Sequence, residues 1–316
     1  GVVDVAILKF SPDGSRLLYA TFLGGRESEV PHSLIINSQG DLVIMGSTSS
    51  TDFPVTTGAY QTKSQLGTPA SYSFATTTSI EYVNGSDLFV SILSADGRQL
   101  KASTYVGGSS KDGVGTSFAV GPHSDGISFR NYGDDLRGEV VVGPDDDIYV
   151  ATVTESADFP APALPGSTTT TTDAVVFRLS ADLAQLRWSS RIGGSGYDKA
   201  HSLKLTPTGT LYVCGVTTSR DLPASVDAVK SKPESTTQAD GFVARFDNQQ
   251  LTHLTYLGTS ADDIVYLLDI DPNNNPYVFG STRGKYPVTT GTYQNAGSSQ
   301  FIHALDANLS KTLFST

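Results

Sequence analysis

The sequence predicts an all-β fold built from a repeated unit of four short strands. Two nearly identical strings occur far apart in the chain, FPVTTGAYQ at 53–61 and YPVTTGTYQ at 286–294. Apolar segments that end in a glycine pair recur as TFLGG, TYVGG and SRIGG, with TYLGT as a variant. Alternating apolar residues are separated by Gly, Pro, Asn and Asp, and no helical periodicity persists. Four antiparallel strands repeated radially are typical of a β-propeller.

The spacing of these landmarks indicates one repeated unit. The segments Gly25 to Pro54 and Gly194 to Pro223 both span 29 positions. The repeat has a period of about 60 residues once two insertions, at about 62–86 and 109–133, are set aside. Agreement at this spacing in four copies is not expected by chance, so the repeat organises the whole chain.

Each unit contains strands A, B, C and D in this order. In the first complete unit they are predicted at 34–36, 42–46, 88–93 and 100–106. The strings SPDG and SADG join C to D, and NSQGD joins A to B, as expected of hairpin turns. Gly14 and Gly97 occupy equivalent C–D turns, where we expect a positive φ.

The order of the strands predicts four full four-stranded antiparallel blades and a half blade at the N-terminus. The chain begins with strands C and D, at 5–10 and 17–21, before four A-B-C-D units follow. Residues 1–316 are therefore expected to form a single β-propeller segment, part of a larger ring or array. An open blade edge favours aggregation. Other domains or blades, from the same or a partner chain, are expected to complete the ring.

The repeat resembles the bacterial "seven-bladed β-propeller repeat" (SBBP) family. The similarity rests on DVAILKFSPDGSRLLYATFLGG, the following A–B hairpin and GSTSSTDFPVTTGAYQ. It covers the chain apart from the insertions. The resemblance implies a propeller within a large secreted or cell-surface protein, located outside the cell. It implies no catalytic residue.

Composition excludes several classes of function. Asp and Glu outnumber Lys and Arg by 32 to 21, giving a net charge of −11, which argues against a nucleic-acid partner. No apolar stretch is long enough for membrane insertion. The single cysteine, Cys214, excludes an internal disulfide. The motifs of zinc, nucleotide and serine-hydrolase sites are missing, so we expect no cofactor, no metal and no catalytic residue.

One set of acidic residues is placed by the repeat. Alignment of the units puts four acids in the loop from strand D to the next strand A: Glu29, Asp135, Asp198 and Asp263. Two hypotheses stay open. Each acid could cap backbone amides of its own loop, or the four could ring a channel mouth and bind a cation or cationic ligand.

Other positions offer weaker signals. His32 and His201 are equivalent, with Gly138 and Tyr266 in the other units, and are interpreted as packing residues. The insertions carry more weight, because binding residues concentrate on loops held by a rigid scaffold. Asn84 and Asn308 begin N-x-S triplets, which are glycosylation sites where the host glycosylates.

Three functions are compatible with these observations. The sequence favours a non-catalytic scaffold or adhesive segment of an extracellular or cell-surface protein, with surface glycan or protein as partner. The first alternative is a glycan-, peptide- or cation-binding module that uses the insertions and the acidic mouth. The second alternative is an enzyme acting on polysaccharide.

Overall fold

The computed structural model describes residues 2–75, 78–115, 137–162, 172–295 and 297–316. Within these ranges the regular secondary structure consists of β-strands, so the all-β prediction is confirmed. The strands form four four-stranded antiparallel sheets and two two-stranded sheets. The same ranges contain no helix that could span a membrane.

The sheets follow one another along the chain. The incomplete sheet contains β1 (Val5–Phe10) and β2 (Leu17–Leu23). Sheet 1 contains β3 (Glu29–Ile36), β4 (Leu42–Thr48), β7 (Asp87–Leu93) and β8 (Leu100–Val106). Sheet 2 contains β9 (Glu139–Val142), β10 (Ile148–Thr154), β11 (Asp173–Leu179) and β12 (Leu186–Ile192). Sheet 3 contains β13 (Asp198–Leu205), β14 (Leu211–Thr217), β15 (Asp240–Asp247) and β16 (Gln250–Leu257). Sheet 4 contains β17 (Asp263–Ile270), β18 (Pro276–Thr282), β19 (Gln300–Leu305) and β20 (Thr312–Ser315).

The strands of each sheet are the predicted A, B, C and D in order. Strand A is longer than the predicted 34–36, because Glu29, Val30, Pro31 and Ser33 also pair with strand B. Gly14 and Gly97 have φ values of 71° and 74°, which confirms the C–D turn prediction. The first insertion adds a hairpin that the repeat does not predict, β5 (Ala70–Ala75) and β6 (Thr78–Tyr82).

Each sheet packs face to face on the next. The first strand of each sheet contacts that of the following one, so β3 meets β9, β9 meets β13, and β13 meets β17. Every junction encloses its own apolar cluster, and the layer between sheets 1 and 2 includes Met45, Val140 and Phe177. Both faces of an inner sheet are covered, so successive residues of a strand, which point to opposite faces, are all buried. The strands β4, β7 and β14 show this pattern.

The segment that follows strand B, TDFPVTTGAYQ in sheet 1 and YPVTTGTYQ in sheet 4, covers the outer edge of its sheet. After strand B the chain runs along strand D, where Thr56 N donates to Ser103 O at 3.0 Å and Tyr105 N donates to Gln61 O at 3.1 Å. In sheet 4, Thr289 N donates in the same way to Ser315 O. An uncovered edge strand is a template for aggregation, so this motif closes the edge.

Candidate ligand-binding site

An acidic residue at the start of strand A binds the loop that precedes it. The carboxylate accepts a hydrogen bond from the backbone amide four residues earlier in all four complete sheets. The pairs are Gly25 N to Glu29 at 2.9 Å, Gly108 N to Asp112 at 2.7 Å, Gly194 N to Asp198 at 3.1 Å and Thr259 N to Asp263 at 2.5 Å. All four acids are buried. Each carboxylate thus caps its own connecting loop.

The structure corrects one member of this set. Asp135 lies outside the described residues, and Asp112 holds the position that the sequence alignment gave to it. The Asp112 carboxylate also accepts hydrogen bonds from Thr154 Oγ1 and, at 2.8 Å, from Ser156 Oγ. The alignment failed because it followed the second half of strand A, which a long excursion separates from Asp112.

The threonine that ends strand B and the serine two residues later complete the cap. Thr48 Oγ1 donates to Glu29 at 2.6 Å, and Ser219 Oγ donates to Asp198 at 2.7 Å. The Ser219 hydroxyl oxygen accepts the amide of Gly196 at 2.8 Å. The T-x-S-x-D segment of the repeat therefore anchors the D–A loop.

A second carboxylate, at the start of strand C, faces each cap. At Gly107 an added Cβ would lie 2.3 Å from Asp87 Oδ1 and 2.9 Å from Asp112 Oδ2. At Gly258 the same atom would lie 2.0 Å from Asp240 Oδ1 and 3.0 Å from Asp263 Oδ2. A glycine is thus required at these two positions, because an added Cβ would crowd both carboxylates.

Burial changes the charge of these acids. It raises the pKa of Asp112 to about 8 and that of Asp87 to about 6, and the Asp87 carboxyl raises the pKa of Asp112 further. Burial likewise raises the pKa of Asp198 and of Asp240 to about 7. At neutral pH the caps therefore carry less charge than the predicted acidic mouth. Within the described ranges no three His, Cys, Asp or Glu side chains are grouped to hold a metal ion.

Strand A contains a β-bulge at one position of the repeat. The ladder skips His32 in β3, His201 in β13 and Tyr266 in β17, the equivalent positions noted in the sequence. The second insertion leaves the sheet at this same position of sheet 2. Asp112 pairs with Thr154 as a first half of strand A, and β9 resumes at Glu139. A bulge already interrupts the ladder, so an excursion there costs few hydrogen bonds.

The two equivalent histidines contact different partners. His32 Nε2 lies 3.0 Å from Ser47 Oγ, which in turn lies 2.7 Å from the Tyr82 hydroxyl. His201 Nδ1 lies 2.7 Å from Val265 O, and its ring stacks on Tyr266. Burial lowers the pKa of both histidines to about 3, so both are neutral. His201 therefore donates from Nδ1 to the carbonyl, and both residues pack between strands.

The first insertion packs on the start of strand A of sheet 2. Tyr82 of the insertion and Val114, two residues after Asp112, are both fully buried in one cluster. Gly67 approaches Ser110 so closely that an added Cβ would lie 2.6 Å from its carbonyl carbon. We call these segments, 65–75, 78–86 and 110–115, the loop cluster. Residues 116–136, including most of the second insertion, lie outside the described part.

The loop cluster extends toward sheet 3. An added Cβ at Gly115 would lie 2.4 Å from Lys199 Cε, so Lys199 packs directly on the loop cluster. Two residues before it, Tyr197 is 49% exposed. The Tyr197 backbone is held by Thr218 in both directions, with N and O in hydrogen bonds. A rigid backbone thus presents an exposed aromatic ring beside the loop cluster.

The two N-x-S asparagines are exposed. Asn84 donates from Nδ2 to Ser49 O at 3.0 Å, and Asn308 Oδ1 accepts from Arg245 at 2.6 Å. Their modification stays a prediction.

No family model matches the chain, and no curated protein matches it. Two solved structures are similar over nearly its whole length. A protein of unknown function from Bacteroides caccae aligns with a TM-score of 0.39 and 10% identity, over 97% of this chain and 72% of that one. A gluconolactonase from Xanthomonas campestris aligns with a TM-score of 0.36 and 12% identity, over 98% of this chain and 67% of that one.

The gluconolactonase is an enzyme, which contradicts the prediction of a non-catalytic scaffold or adhesive segment. That prediction is corrected. At this TM-score the likeness assigns no particular reaction to the chain.

Proposed function

We propose that the chain is a β-propeller segment of the SBBP kind. Sheets 1 to 4 are its blades, and β1 and β2 are strands C and D of a further blade. The contacts between successive first strands and the repeated carboxylate caps at the junctions support this architecture. A secreted or cell-surface location accompanies this assignment.

We infer that this propeller binds a glycan beside the loop cluster, where strand A of sheet 2 begins. The observation that carries the proposal is the packing of the first insertion on the start of strand A of sheet 2. Tyr82 of the insertion shares a buried cluster with Val114, which lies directly before the point where the second insertion leaves the strand. Long loops held together on a rigid scaffold are the usual carriers of binding residues. The buried Asp112 carboxylate fixes the loop before this point by accepting the Gly108 amide.

The chemistry of the surface favours a neutral or cationic sugar. Tyr197 offers an exposed ring, whose apolar face can stack on a pyranose, and its hydroxyl can bond to sugar hydroxyls. Serines 109, 110 and 195 lie in the adjoining D–A loops. The net charge of −11 disfavours polyanionic ligands such as sulfated glycans.

A glycan array followed by calorimetric titration tests the proposal. We expect Tyr197→Ala to weaken binding of the best neutral glycan by about tenfold, the value of one stacking contact. Tyr293→Ala is the matched control, because Tyr293 is 83% exposed but lies beside the outer strand β20. Equal affinities for both variants would contradict the site. Release of sugar during the titration would show that the same site is catalytic and does not only bind the glycan.

A further inference from the structure

An apolar groove lies between β1 and the face of sheet 1. Its cavity has a volume of 420 Å³ and is lined by Val5, Ile7, Leu34, Ile36, Leu42 and Ile44, among others. β1 pairs only with β2 among the described residues, so its other edge has no strand beside it. In every complete sheet that edge of strand C pairs with strand B, as β7 does with β4.

The repeat provides an internal comparison for this groove. Leu34 is 64% exposed, whereas the residues at the same position of the other sheets are buried. Their exposed fractions are 2% for Val140, 0% for Leu203 and 3% for Leu268. The equivalence follows from register, because each of the four pairs with the middle of its strand B: Ile44, Val150, Val213 and Val278.

The residues that cover the buried equivalents come from the preceding sheet. Leu268 shares a cluster with Tyr212 and Cys214 of β14. Val140 shares one with Val43 and Met45 of β4. Both covering pairs stand at the same two positions of strand B. Leu34 is exposed because strands A and B are missing from the incomplete sheet in the described part of the chain.

We propose that this groove binds the A–B hairpin of a further copy of the same repeat. The hairpin adds to the free edge of β1 by antiparallel strand addition, and its strand B covers Leu34 and Ile36. The threonine that ends strand B then lies opposite Asp4, as Thr48 lies opposite Asp87. A second copy of this chain is not the occupant, because the A–B hairpins of its four complete sheets already pair with their own C strands.

The repeat itself provides a segment that can supply the hairpin. Ala239 O accepts the amide of Asp263 at 2.9 Å, and Val3 O accepts that of Glu29 at 2.7 Å, so Ala239 and Val3 are equivalent. A copy of residues 198–239 can therefore be joined directly before Asp4, in place of residues 1–3. The copy carries strands A and B and their link to strand C in the natural order.

Hydrogen exchange and thermal unfolding of this extended chain test the proposal. We expect the free-edge amides of β1 to exchange at least about tenfold more slowly, and the Tm to rise by at least about 5 °C. Leu34→Asp is the matched control, because an exposed site tolerates it in the original chain. In the extended chain it is expected to abolish both gains.

Three results would overturn the proposal. The first is unchanged exchange of β1 in the extended chain, and the second is a gain that survives Leu34→Asp. The third is a dimer of the original chain, measured by light scattering, that Leu34→Asp disperses, since the occupant would then be a second copy. A monomeric original chain with protection gained only in the extended chain supports the hairpin.

Discussion

The carboxylate of Asp112 accepts the backbone amide of Gly108 at 2.7 Å and faces Asp87 across Gly107. The same relationship joins Gly194 to Asp198 in the next unit. A glycine pair, an acid four residues later and an acid on strand C thus form one structural device. Its repetition at each junction explains why these residue types recur in the sequence.

Stability is expected to fall as the pH rises from about 4.5 to 8. Burial raises the pKa of Asp112 to about 8, far above the value of about 4 in an unfolded chain. Between these values the folded state holds a proton that the unfolded state has lost, so deprotonation favours unfolding. Urea unfolding across this pH range checks the direction. Asp112→Asn, which cannot titrate, is expected to flatten the dependence, and an unchanged slope would contradict the assignment.

The glycine between the two acids is expected to resist substitution. Gly107→Ala places a Cβ 2.3 Å from Asp87 Oδ1, so the free energy of unfolding should fall by at least about 2 kcal/mol. Gly14→Ala is the control, because Gly14 has a positive φ but open space around it. It should cost about 1 kcal/mol. Equal losses in denaturant unfolding would show that the acids do not crowd Gly107.

The threonine that ends strand B is expected to stabilise the cap through its hydroxyl. Thr154→Val keeps the shape of the side chain but leaves a buried Asp112 oxygen without this donor. We expect a loss of about 1–3 kcal/mol in the free energy of unfolding. The exposed Thr51 supplies the control, and Thr51→Val should change stability by less than about 0.5 kcal/mol. A loss at Thr154 no larger than at Thr51 would refute the cap.

Calcium is expected to leave the thermal unfolding unchanged. One carboxylate oxygen of Asp198 and of Asp263 already accepts hydrogen bonds within its own loop, whereas a calcium ion needs six to eight oxygen ligands. The Tm should be equal in chelator and in millimolar calcium, for the original chain and for Asp198→Asn combined with Asp263→Asn. A calcium-dependent rise that the double variant removes would restore the cation hypothesis.

The sequence predicted the strands, their order and the turn glycines, because these depend on local periodicity and on backbone conformation. It placed Glu29, Asp198 and Asp263 in the loop from strand D to strand A, whereas each is the first residue of strand A. It misassigned the fourth acid, since nothing local distinguishes Asp112 from Asp135 until the ladder of strand A is seen to break and resume.

Contacts between units were out of reach of sequence periodicity. The TDFPVTTGAYQ motif was evident, but its hydrogen bonds to strand D depend on where the chain passes in space. The packing of Tyr82 on Val114 joins the first insertion to strand A of the next sheet. The bulges at His32 and His201 likewise leave no sequence signal beyond their equivalence.

Titration of the side-chain carboxyl carbons by NMR tests the central claim most directly. The account makes the strand A acids buried caps that share a site with a second carboxyl, and so predicts that Asp112 titrates with an apparent pKa near 8. Asp87→Asn should lower that value, because it removes the neighbouring charge. A pKa of Asp112 at or below about 4, unaffected by Asp87→Asn, would contradict the account, since the hydrogen bonds would then stabilise an ordinary carboxylate.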